Sequence, residues 1–107
     1  MSFHDKKLAE AIKEAAGVFI NRCSDRTSLI TVTNISLSRD KHLATIFISV
    51  LPETKEETAL GFVNRKRNEF REFVKVAIKT RMLPSFNFAL DEGEKNRQKI
   101  DKISGGA

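Results

Sequence analysis

The chain has 107 residues, a formal net charge of +5, 40% hydrophobic and 31% charged residues, one cysteine and neither Trp nor Tyr. That length holds one modest core and the composition is that of a folded domain, which sets aside disorder, a two-domain chain and an internal disulfide. No apolar run approaches the roughly 20 residues that a membrane-crossing helix needs, and no basic-then-apolar leader opens the chain, so the expectation is a cytoplasmic protein without a membrane partner.

Ser2 is placed to cap a first helix, and Asp5 puts a negative charge near its positive end. Leu8, Ile12, Ala15, Ala16, Phe19, Ile20 and Cys23 then recur at helical spacing. Cys23 lies in that apolar phase and reads as an inert thiol. Gly17 sits inside the pattern at a cost of about 1 kcal/mol relative to alanine, either to admit a neighbouring element or for no packing reason. The polar run Ser24-Asp25-Arg26 ends the helix.

Leu29–Leu37 and Leu43–Leu51 read as two strands joined by the turn Ser38-Arg39-Asp40-Lys41, most simply as an antiparallel hairpin. The first alternates imperfectly: Ile30 and Val32 fall in one phase, Leu29, Ile35 and Leu37 in the other. A bulge, or apolar cover on both faces, accounts for that. The second puts Ala44, Ile46, Ile48 and Val50 on one face and Leu43, Phe47 and Leu51 on the other, and Pro52 stops it.

Residues 54–81 read as one long helix or two joined at a kink, opened by a Thr54/Glu57 capping box. Its apolar stripe is Ala59, Phe62, Val63, Phe70, Phe73, Val74, Ala77 and Ile78. The other face carries Arg65, Lys66, Arg67, Arg71, Lys75, Lys79 and Arg81 against Glu69 and Glu72, seven minus two, which equals the net charge of the whole chain. Phe86, Phe88 and Leu90 alternate with polar or small residues as a third strand. Asp91 is placed to cap a short closing helix with Ile100 and Ile103, and residues 104–107 form a flexible tail. The expectation is an α+β domain over 1–103, with both main helices on one face of a three-stranded sheet.

Catalysis has little to draw on. His4, His42 and Cys23 lack metal-ligand spacing, no Gly-rich phosphate loop or nucleophile elbow occurs, and Glu53, Glu56 and Glu57 gather where a helix dipole already accounts for them. The reading is therefore no enzyme, no cofactor, no metal and no small-molecule substrate. The basic face remains. It is either a solvated surface with i,i+4 contacts around Arg71, Lys75 and Glu69, or a grip for a polyanion. Arg71, Lys75 and Lys79 at four-residue spacing repel one another, and a phosphate ligand relieves that repulsion. Without Trp or Tyr, contacts should be to nucleic-acid backbone and shape rather than by base stacking.

The run Thr31-Val32-Thr33-Asn34-Ile35-Ser36-Leu37-Ser38-Arg39-Asp40, then Ala44-Thr45-Ile46-Phe47-Ile48-Ser49-Val50, resembles the strand–turn–strand signature of the bacterial ribosome-binding factor A (RbfA) family. Phe70-Arg71 followed by Arg81, Pro84, Phe88 and Asp91, and the closing Gln98-Lys99-Ile100-Asp101-Lys102-Ile103, match it in order along nearly the whole chain. The resemblance implies a type II KH-like fold, α-β-β-α(kinked)-β plus a short C-terminal helix. It also implies a monomeric assembly factor that binds the small (30S) ribosomal subunit precursor and its 16S rRNA during late maturation and rRNA processing, often in cold adaptation. The family's Ala-x-Gly kink falls here on Lys66-Arg67-Asn68, which lacks both small residues. Asn68 tolerates a left-handed backbone, which permits a kink, whereas the seven-residue step from Val63 to Phe70 suits a straight helix. The RNA-contacting candidates are Arg65, Lys66, Arg67, Arg71, Lys75 and Lys79, with Asn68 shaping the kink and Arg39 and Lys41 adding contacts from the hairpin turn. Arg81 reads as structural. The rival reading is a protein-interaction module that uses the exposed sheet edge or the outer hairpin face.

Overall fold

The computed structural model describes residues 3–23, 27–80 and 82–93. The Ser2 cap, the break at Ser24-Asp25-Arg26, Arg81, the closing helix with Ile100 and Ile103, and the 104–107 tail lie outside the described residues. Helix α1 (Phe3–Cys23) is followed by strands β1 (Leu29–Leu37) and β2 (Leu43–Leu51), a 3-10 turn (Glu53–Lys55), helices α2 (Glu56–Arg65) and α3 (Arg67–Ala77), and strand β3 (Ser85–Leu90). The sheet order is β1-β2-β3, with β1 antiparallel and β3 parallel to β2. The fold is α+β, as expected, and the parallel third strand follows from a helical crossover between β2 and β3.

All three helices cover one face. Ile12, Ala16, Phe19 and Ile20 of α1 meet Ala44, Ile46, Ile48 and Val50 of β2, Ile30 of β1, Phe86 and Phe88 of β3, and Ala59, Val63, Phe70 and Val74 of α2 and α3. Phe70 is the hub. Its ring centroid stands 5.3 Å from Phe19, 4.9 Å from Phe86 and 5.7 Å from Phe88, which ties α1, α3 and β3 together. Such tilted or edge-on pairs add about 0.5–1.5 kcal/mol each beyond area burial. On the outer face Leu43 and Leu51 of β2 stay exposed, as its alternation predicts, and so does Leu29 of β1. The free thiol of Cys23 is half-buried against the core.

The imperfect alternation of β1 is a bulge. Val32 pairs with Ile48 and Asn34 with Phe47, which leaves Thr33 as the extra residue. The phase shift brings Ile35 and Leu37 onto the covered face together with Ile30 and Val32. The Thr33 hydroxyl meets the Asp91 carboxylate at 2.5 Å, reaching from β1 to the end of β3.

The hairpin turn is held locally. Lys41 N–H donates to the Ser38 carbonyl at 3.0 Å, Ser38 N–H to the Leu43 carbonyl at 2.9 Å, and Lys41 takes a left-handed backbone with φ 63°. The Asp40 carboxylate accepts the Ser38 hydroxyl at 2.6 Å and the His42 N–H at 3.0 Å, and these donors, Ser38 foremost, hold its pKa below the ordinary value.

Residues 54–81 form two helices joined at a kink, one of the two readings the sequence allowed, and three details differ from expectation. The Thr54/Glu57 capping box does not form: a 3-10 turn precedes α2, whose start has no side-chain cap. The kink falls at Lys66 (φ −92°, ψ 6°), within the expected Lys66-Arg67-Asn68 stretch, but Asn68 lies inside α3 with helical rather than left-handed backbone. The helix also ends at Ala77, because Ile78 turns extended (φ −124°, ψ 115°) and packs against the core, so Lys79 is off the Arg71–Lys75 face.

Candidate nucleic-acid interface

The break between α2 and α3 contains neither glycine nor proline, so it is held from outside the helix. The side-chain amide of Asn64, in the last turn of α2, donates to the Phe88 carbonyl at 3.2 Å and accepts the Phe88 N–H at 3.1 Å. One side chain thus takes both backbone groups of a β3 residue and ties the end of α2 to the edge of the sheet. A second tie lies seven residues on. Arg71 Nη1 donates to the Pro84 carbonyl at 2.9 Å and fastens α3 to the entrance of β3. A straight helix would have to keep both ties with a different direction between them. Instead Lys66 takes the bridge conformation, and its N–H donates to the Val63 carbonyl at 3.1 Å.

This geometry gathers some of the expected cations and disperses others. Gly61, Asn64, Arg65, Arg67 and Asn68 line a depression of about 330 Å³, and Arg67, Asn68, Arg71, Ser85 and Phe86 line another of about 310 Å³. Arg67 and Asn68 are common to both. Arg65, Arg67, Asn68 and Arg71 therefore surround the junction. The first turn of α3 opens there without a side-chain cap, so its amides and the positive end of its dipole add to the same surface. Arg67 Nε donates to the Asn64 carbonyl at 3.0 Å, an interaction that suits the electronegative end of α2.

The remaining candidates have other partners or positions. Lys66 pairs with Glu69 at 3.4 Å and stands 5.9 Å from the centre of the Phe62 ring, while Lys75 pairs with Glu72 at 3.3 Å. Both are exposed i,i+3 pairs worth a few tenths of a kcal/mol. The expected contact of Arg71 with Glu69 is absent, because Arg71 reaches Pro84 instead. Lys41 pairs with Asp5 at 3.0 Å and fastens the hairpin turn to the start of α1. Arg39 and Lys79 are exposed. The turn also meets β3, where Ser85 N–H donates to the His42 carbonyl at 2.8 Å.

Asn64 is the residue that sequence reasoning missed. Its partner is 24 positions away, and an asparagine in a last helical turn gives no sign of it. Other chemistry has little room. Among the described residues no three His, Cys, Asp or Glu side chains are grouped to hold a metal, and the cavity beside Glu53 and Glu56 measures about 10 Å³, barely one water. No described helix is long and apolar enough to cross a membrane.

Known proteins share both the sequence pattern and the fold. The family model for ribosome-binding factor A matches residues 4–104. A protein named ribosome-binding factor A from Thermodesulfovibrio yellowstonii is 29% identical over 92 residues, covering 85% of this chain and 78% of its own. The crystal structure of ribosome-binding factor A from Thermus thermophilus superposes with a TM-score of 0.71 at 24% identity, over 79% of this chain and 92% of that one. A Thermus thermophilus ribosome-binding factor A homology model, fitted into a cryo-electron microscopy map of its complex with the 30S subunit, gives 0.67 at 22% identity over 87% and 97%. The family match spans α1 through β3 without a gap in the order of elements, and the chain belongs to the ribosome-binding factor A family.

Proposed function

We propose that this chain is a non-enzymatic assembly factor that binds the precursor of the small ribosomal subunit through its 16S rRNA and assists late maturation and rRNA processing. The observation that carries the reading is the broken α2–α3 junction, where Arg65, Arg67 and Asn68 and the uncapped start of α3 share one surface. Cations beside a helix N-terminus suit phosphate oxygens. Family membership and the 30S complex of the Thermus relative support the choice of polyanion. In this reading Arg65, Lys66, Arg67, Lys75 and Lys79 neutralise phosphates, with Arg39 contributing from the hairpin turn. Arg71 acts at the same surface but first holds Pro84, and Lys41 must leave Asp5 to reach RNA.

The test is co-sedimentation of the full chain with small-subunit precursors at rising salt, beside a variant with Arg65, Arg67 and Lys75 changed to Ala. Arg71 is spared because its loss would loosen β3. Wild-type binding should weaken with salt, and the variant should bind more weakly with a salt slope lower by about 2–3, roughly one unit per lost phosphate contact. Equal binding and equal slopes would move the contact away from this junction. No binding by either folded protein would overturn the reading.

A further inference from the structure

A three-stranded open sheet has two edges, and this molecule treats them differently. The β3 edge is covered at Phe88 by the Asn64 amide. On β1 the second half is blunted by the Thr33 bulge, and the Asn34 side-chain oxygen takes the Ile35 N–H at 2.8 Å. Bulges and side-chain covers are the devices by which sheets avoid pairing with foreign strands. The 29–32 half of β1 has none of them. It forms one wall of a groove of about 1260 Å³, and α1 forms the other through Lys6, Glu10, Ala11, Lys13 and Gly17 among its residues.

We propose that this groove takes up an extended, alternately apolar segment of a partner protein, which adds to β1 as a fourth strand and carries an acidic residue toward the lysines of α1. As an outer strand of the sheet, β1 offers main-chain hydrogen bonds along its edge, and Ile30 and Val32 supply apolar lining. Lys6, Lys7 and Lys13 against Glu10 and Glu14 leave the helical wall one positive charge in excess, which favours an acidic segment. The α1 wall stands beside the edge, so a lone strand enters more readily than a second copy of the whole sheet. Gly17 keeps the groove open: nothing stands within 4 Å of the position its Cβ would take. This surface is separate from the α2–α3 junction and does not rest on the ribosomal reading.

The test is selection of a phage-displayed random library of peptides about eight residues long, enough to span the edge, against the full chain, followed by amide NMR mapping of the enriched peptides. Enriched sequences should alternate apolar residues with at least one Asp or Glu and should shift and protect amides within 29–32. Gly17→Leu should weaken them about tenfold or more by filling the groove, with no loss of thermal stability. Should that variant fold poorly, Lys6→Glu with Lys13→Glu serves in its place and should reverse the preference toward basic peptides. The proposal falls if no peptide is enriched, if enriched peptides map elsewhere, or if neither variant changes their binding. It falls equally if the same amides respond to self-association in sedimentation equilibrium, or to a single-stranded RNA oligonucleotide in place of peptide.

Discussion

The first helix and the helical crossover are similar in length and opposite in behaviour. α1 runs unbroken for 21 residues although it contains Gly17, a poor helix former. The crossover breaks at Lys66, within Arg65-Lys66-Arg67-Asn68, where no residue forbids a helix. Each holds one glycine, Gly17 in α1 and Gly61 in α2, and neither breaks there, so intrinsic preference does not locate the weak point. What separates them is tethering: α1 lays one apolar face along the sheet, while α2 and α3 are pinned to β3 at two points by Asn64 and Arg71. Two distant hydrogen-bonded ties therefore flank the break, one on each side of Lys66.

The hub that both helices share gives the largest expected effect. Phe70→Ala leaves a cavity among Phe19, Phe86 and Phe88 and should cost about 3–5 kcal/mol in denaturant unfolding. Asn64→Ala tests the comparison directly. It strips two hydrogen bonds from half-buried Phe88 backbone groups and should cost about 1–3 kcal/mol. It should also make the Cα chemical shifts continuous and helical through Lys66, and a break that persists in that variant would show that the tether does not cause it. Gly17→Ala probes the unbroken helix. With open space at the new Cβ it should stabilise the fold by up to about 1 kcal/mol, seen as a higher Tm.

The smallest effect belongs to the hairpin turn, which is controlled locally. The folded-state pKa of Asp40 lies below its ordinary 3.8, so protonation favours the unfolded chain. The advantage of wild type over Asp40→Asn should be complete above that value and fade as pH falls through the lower, folded-state pKa. A constant difference down to strongly acid pH would mean that Ser38 and His42 hold the turn without the charge.

The same division explains what the sequence discloses. The strands, the covered phase of β2, the stripe of α1 and the greasy face of β3 are periodic over neighbouring residues, and all were legible. The irregularity of β1 was legible as a choice between a bulge and two-sided cover, and the position of Thr33 resolves it. The kink at Lys66 was legible as one of two alternatives through the family resemblance, but the Asn64 bonds to Phe88, 24 residues away, were not. The capping pattern at Thr54 and Glu57 misled because the chain enters α2 through a 3-10 turn. The basic surface was legible in composition but not in membership. Arg71, Lys41, Lys66 and Lys75 each have a partner within the fold that only geometry discloses.

Thr33 has one more consequence. A strand has a two-residue reading frame, and in β1 Ile30 and Val32 are out of frame with Ile35 and Leu37 by the single residue Thr33. Deleting it would put all four in one frame and give a regular alternating strand that still fills the core. The shortened strand would also lose the kink that interrupts its outer edge, leaving a straighter row of backbone groups along which copies can polymerise. The residue that makes β1 irregular is therefore also one that interrupts the straight edge on which strand-to-strand pairing between copies depends.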